Sequence, residues 1–265
     1  MELANAAART GQHPVVWKRR SGVIISRPGN DDYTKLNAYR SISLLSCMGM
    51  VIETVVTELQ AKEAERNGLL SDGQCGSRKR QLAIDAAAIH VGAIKAAAIR
   101  AAAINPAAIN PAAINAAALM VDRSHAAWRE GRGAGVLLKD IKEAFPSVGR
   151  GRLVHTIQGK GINGDLIQWT ASILSEQTVE MVIEGNVIER STVEAGLAQG
   201  SLVSPILFSN FTSALMKWVA ERVSGIEGLS FMDNVGWMAP GSNLSQIIRN
   251  METWARESID CAERR

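Results

Sequence analysis

Two apolar runs, far apart in the chain, each stop at an aspartate, and this limits the fold more than any other feature. Residues Gly135–Val148 read GVLLKDIKEAFPSV. The run Val136–Leu138 has the character of a buried strand, and Asp140 follows at its expected end. Phe145 stands five residues on, and Pro146 stops a helix from running through. Residues Leu229–Ala239 read LSFMDNVGWMA, apolar on both sides of the polar pair Asp233-Asn234. Two apolar runs meeting at a polar pair predict a β-hairpin. Strands so distant in sequence meet only through a sheet, as in a mixed α/β domain. A carboxylate at the edge of a buried strand is costly unless something pairs with it, and a hard divalent cation with oxygen ligands is one partner. Carboxylates on neighbouring strands that hold two metal ions are the apparatus of in-line displacement at phosphorus. An aspartate that merely caps the following turn is the plainer reading of Asp140.

The remaining pattern is consistent with that class. Val23–Ser26 reads as a short strand and Arg27–Asn30 as a turn. Leu44–Leu59 reads as a helix with Met48, Val51, Ile52, Val55, Val56 and Leu59 as its apolar positions. Arg152–Gln158 and Asp165–Leu174 are expected as helices. Thr178–Glu184 and Asn186–Val193 alternate around Gly185 as a hairpin. Ala195–Leu202 is a Gly-containing loop, and Ser204-Pro205 is a helix start signal for a helix to about Arg222. A last helix is expected from Ser242 to Arg264.

One tract breaks the pattern. Isoleucines at 84, 89, 94, 99, 104, 109 and 114, then Leu119, recur with a period of five in an alanine background. Such a period walks around an α-helix and builds no stripe, and Pro106 and Pro111 interrupt it. A pentapeptide-repeat solenoid needs more coils than the tract supplies. IDAAAIHV at 84–91 matches INAAALMV at 114–121, so the tract reads as a duplication that interrupts one helix. A low-complexity surface insertion at about 88–117 is the expectation.

Composition excludes little. The net charge of +3 does not by itself imply nucleic acid, although basic clusters stand at Trp17–Arg20 and Ser77–Gln81. Such clusters are usually solvated surface and are also how phosphates are met. Three widely spaced cysteines, Cys47, Cys75 and Cys261, form no metal spacing and read as reduced thiols of an intracellular protein. No signal peptide and no membrane span are expected.

In this order, SRPGNDDYTKLNAYRSISLLSCMGMVIE, QCGSRKR, DIKEAFPSV, AGLAQGSLVSPILF and FMDNVG resemble the finger motifs and the A, B and C motifs of reverse transcriptases, with the nearest likeness to fungal non-LTR (LINE-type) retrotransposons. The resemblance implies an α/β (α+β) right-hand polymerase, with palm and fingers and a mixed antiparallel sheet packed on helices. It also implies a chain that stops before the thumb. The expected organisation is a ragged segment at 1–16, fingers at 17–134 and palm at 135–265. The implied reaction is addition of deoxynucleoside triphosphates to a DNA primer on an RNA template, with two Mg²⁺ ions (or Mn²⁺) on Asp140 and Asp233. Asn234 stands where the family has a third catalytic Asp, and it is neutral.

By the same resemblance, Arg27 and Arg40 approach the incoming triphosphate, which an arginine fork suits. Phe145 is the sugar gate that excludes a 2′-OH; the plain alternative is a core aromatic. Its presence argues against an RNA-dependent RNA polymerase. Gln199 and Gly200 line the template and nascent pair; the plain alternative is a turn before a helix. An endonuclease domain in a longer element and action in the nucleus are expectations of the family. The competing reading is a catalytically silent remnant that at most binds RNA or a partner.

Overall fold

The computed structural model describes residues 6–7, 9–26, 29, 32–35, 38–71, 73–74, 120–121, 123–183, 186–223, 225–231 and 234–263. The pentad tract, the basic cluster at 77–81, Arg27 and Asp233 lie outside these residues.

The chain forms two compact units, each made of two chain segments: Met1–Leu69 with Glu143–Phe211, and Leu70–Lys142 with Thr212–Arg265. The expected fingers and palm, divided at 134/135, follow role in the family; compactness divides the chain otherwise.

The first unit carries a four-stranded sheet in the order β2-β1-β4-β5, from β1 (Arg19–Ser26), β2 (Tyr39–Leu44), β4 (Gln177–Ile183) and β5 (Asn186–Val193). Neighbours pair antiparallel except β1 with β4, which run parallel from Arg19 opposite Thr178 to Gly22 opposite Met181. The expected β4–β5 hairpin is therefore present. Three helices belong here: α1 (Cys47–Arg66), α2 (Arg150–Gln158) and α3 (Gly164–Leu174). Asn163 caps α3, its side chain accepting from the Asp165 amide at 2.8 Å.

Two expectations change in this unit. The helix expected over Leu44–Leu59 starts only at Cys47, as α1, and Leu44 ends the strand Tyr39–Leu44. The buried face of α1 keeps Ile52 and Val56 of the expected apolar positions but not the others. Met48, Val51 and Leu59 are exposed, while Gly49, Ile52, Glu53, Val56, Gln60 and Ala64 are buried. Polar Glu53 and Gln60 tolerate burial because each is hydrogen-bonded; Gln60 Nε2 donates to Thr170 Oγ1 at 2.6 Å. The Trp17–Arg20 cluster departs from the solvated reading too, since Lys18 and Arg20 are buried.

The second unit carries a three-stranded antiparallel sheet in the order β3-β7-β6, from β3 (Gly133–Asp140), β6 (Glu227–Phe231) and β7 (Asn234–Gly241). Strands β6 and β7 are the expected pair around residues 232–233. Helix α5 (Leu244–Glu263) packs on β3 and β7. The core gathers Met216, Val219, Val223, Val235, Trp237 and Trp254. Trp237 and Trp254 lie 5.1 Å apart, ring centroid to centroid. Helix α4 (Ser204–Arg222) starts at the expected Ser-Pro, and the boundary between the units falls within it. None of the described helices is long and apolar enough to cross a membrane.

Candidate active site

Strand β3 delivers Asp140 at its last position, in register with Asn234, the first residue of β7. Residues directly opposite in an antiparallel pair project from the same face and are near neighbours. Leu138 opposite Gly236 and Val136 opposite Met238 continue that face. The other face binds α5. Lys139 Nζ donates to Ser258 Oγ at 2.8 Å and lies 4.6 Å above the Trp254 ring, and burial lowers its pKa. This anchor fixes the strand immediately before Asp140.

The strand itself corrects one expectation. It is not buried on both faces: Leu138 is 69% exposed and Val136 is 41% exposed. Asp140 and Asn234 are exposed as well, so no burial cost demands a partner for the carboxylate. The metal assignment must rest on position rather than desolvation. The donors are oxygens, which suits a hard cation. Among the described residues there is no group of three or more His, Cys, Asp or Glu that could hold a metal ion. Asp233 lies outside that set.

The remaining described candidates belong to the first unit. Arg40 is exposed on β2, opposite Ile25 of β1. Phe145 follows Glu143, whose backbone adopts φ +52. The Phe145 ring is half-buried against Phe208, 5.2 Å between centroids, so it has the packing of a core aromatic and one side still open.

Gln199 and Gly200 are exposed on a loop held firmly at both ends. At its start, Gly196 N donates to Val148 O at 2.9 Å and Leu197 N to Phe145 O at 2.8 Å. Gly196 has φ +78, and a Cβ there would lie 2.6 Å from Pro146 O. At its tip, Ser43 N donates to Gln199 O at 2.8 Å. Gly200 has φ +119, and a Cβ would lie 2.5 Å from Ser43 O. Only glycine fits both the backbone angle and the space.

Two residues that the sequence reading missed hold this loop. Arg150 donates to Gly196 O at 3.0 Å, Gln177 Oε1 at 2.6 Å and Ala195 O at 3.3 Å, and also to Val193 O. Glu53 accepts from Ser201 and Leu202. Neither stands in a short motif with its partners, so only the fold brings them together.

The two units, each a sheet with helices, make a mixed α/β fold. The chain belongs to the family described as "Reverse transcriptase (RNA-dependent DNA polymerase)", which it matches over residues 28–260. That family is one of RNA-directed DNA polymerases. None of the curated proteins matches the chain. Among solved structures it is similar to the apo telomerase of Candida tropicalis truncated from the C-terminal domain. That likeness has a TM-score of 0.53 and 12% identity, and covers 90% of this chain and 46% of the other. The apo telomerase of Candida tropicalis gives a TM-score of 0.52 at 11% identity, with 89% and 41% covered. The chain thus spans less than half the length of either telomerase chain. At such identity the likeness shows the fold alone: the palm-and-fingers fold of reverse transcriptases.

Proposed function

We propose that this chain is the fingers-and-palm part of a retrotransposon polymerase, of the fungal non-LTR (LINE) type, that extends a DNA primer on an RNA template. The observation that carries the reading is the register of Asp140 against Asn234 at adjoining strand ends, in a chain of the reverse transcriptase family. Asp140 and Asp233 are the residues that would hold Mg²⁺ or Mn²⁺. When bound, the ions would supply charge neutralisation at the phosphate and a more acidic primer hydroxyl.

The chain's own side chains have separate roles. Arg40, exposed on an edge strand, offers two parallel donors to triphosphate oxygens; Arg27 is assigned the same task from its motif. Phe145 is held by Phe208 so that its ring excludes a 2′-OH. Gly200 lets backbone approach the nascent pair without a side chain between them, and Gln199 beside it supplies an amide with both donor and acceptor.

A second reading, a silent palm that at most binds RNA, is favoured by one observation. The residue facing Asp140 is neutral Asn234, which adds no charge to a cation site.

Primer extension on an RNA template with Mg²⁺ or Mn²⁺, comparing this chain with Asp140→Ala, separates the two. Extension by the parent chain that is lost in the variant is the expected result. A folded chain that binds the template but extends nothing overturns the polymerase reading and leaves the silent palm.

A further inference from the structure

The middle of α1 buries a carboxylate that no motif explains. Glu53 is 1% exposed. A buried carboxylate is unfavourable by several kcal/mol unless hydrogen bonds or opposite charge compensate it. Both are present. One oxygen, Oε2, accepts from Ser201 Oγ at 2.6 Å and from the Leu202 amide at 2.9 Å. Arg20, itself 5% exposed, supplies opposite charge. Burial and the neighbouring Arg150 push the Arg20 pKa down to about 10, and Glu53 opposes them.

The acceptor meets the loop directly after Gln199 and Gly200. On one side of those two residues the loop is tied to β2 through Ser43 N and Gln199 O. On the other it is tied to α1 through Glu53. The exposed tip is therefore clamped at both flanks. Behind the clamp a cavity of about 10 Å³ is lined by Arg20, Glu53, Gln177, Ala198 and Ser201 among others. It is the size of roughly one water. No nucleotide enters it, so Glu53 does not touch substrate.

We propose that Glu53 is a positioning residue: its carboxylate fixes residues 199–202 in the single conformation that presents Gln199 and Gly200 to the template and nascent pair. This rests on the polymerase reading of that loop.

The Leu202 amide donates to Glu53, so its hydrogen exchange reads the clamp directly. Exchange is measured on the full chain for the parent, Glu53→Gln, Glu53→Asp and Ser201→Ala. Hydrogen bonds to a charged group are worth about 1.5–3 kcal/mol, so Leu202 should exchange at least about tenfold faster in Glu53→Gln. Residues 54–66 of α1 should keep their protection. Ser201→Ala, which leaves α1 untouched, should loosen the same amide, and Glu53→Asp should restore part of the protection. In primer extension, Glu53→Gln should raise KM for the nucleotide about tenfold with a much smaller change in kcat, a split that general destabilisation does not produce. If Glu53→Gln loses protection throughout α1, Ser201→Ala decides. Unchanged Leu202 exchange in both variants overturns the proposal. A parent chain that extends no primer counts against the polymerase reading alone, because the exchange result still stands.

Discussion

Replacing Gly200 with alanine tests the loop geometry by itself. The new Cβ would sit 2.5 Å from Ser43 O, where ordinary contact begins at 3.4 Å. The obstacle is backbone, so no side chain can swing away. Strand and loop must part by nearly an ångström, which weakens the Ser43 N–Gln199 O hydrogen bond of 2.8 Å, worth about 1 kcal/mol. The backbone angle of φ +119 adds strain of order 1–3 kcal/mol for any residue with a side chain. The combined loss should be about 3 kcal/mol, a large part of the stability of an ordinary domain. Urea unfolding followed by tryptophan fluorescence would show it as a midpoint about 1–2 M lower at unchanged slope. Gly151→Ala is the control. It lies in α2 with open space around the added atom, where alanine is the better helix former. If Gly200→Ala loses less than about 1 kcal/mol, or behaves like the control, the described loop conformation is wrong.

Two further outcomes are expected. His13 is buried between Trp17 and Trp169, and burial, then nearby Lys18, lower its pKa from 6.5 to about 4. The folded form therefore resists protonation. The associated stability is fully present above pH 6.5 and is lost as pH falls toward 4, by about 3 kcal/mol at most. Unfolding free energies at pH 7 and pH 4.5 should differ by much less in His13→Asn; an identical difference would remove His13 as the cause. At the strand ends, Asn234→Asp places a second charge opposite Asp140 and should raise metal-dependent primer extension at least about tenfold. No gain, in a chain that still binds template, would mean that the neutral Asn234 does not limit extension.

What the sequence disclosed, and what it hid, follows from range. The β4–β5 and β6–β7 hairpins, α2, α3 and the Ser-Pro start of α4 are local patterns of alternation, period and capping, and each is present. Asp140 stands at the strand end where local pattern placed it. Ile52 and Val56 of α1 are buried as their period suggests, but buried Glu53 was not legible because it meets its partners 148 and 149 residues away. Apolar periodicity cannot register a polar residue satisfied from so far. Similarly, Arg20 counted as surface charge because nothing nearby in sequence shows that β1 lies between β2 and β4. The Val136–Leu138 run suggested burial, yet a strand alternates its faces and only one is covered by α5.

The two compact units interleave along the chain, and this has a consequence during synthesis. A ribosome releases Met1–Leu69 long before Glu143–Phe211, so β1 must wait for its parallel neighbour β4 while the first segment of the other unit is made. That other unit, in turn, is complete only once α5 has emerged. Neither unit can close early on its own residues. The nascent chain therefore carries unpaired strand edges through most of its translation, the state in which chains of this kind depend most on chaperones.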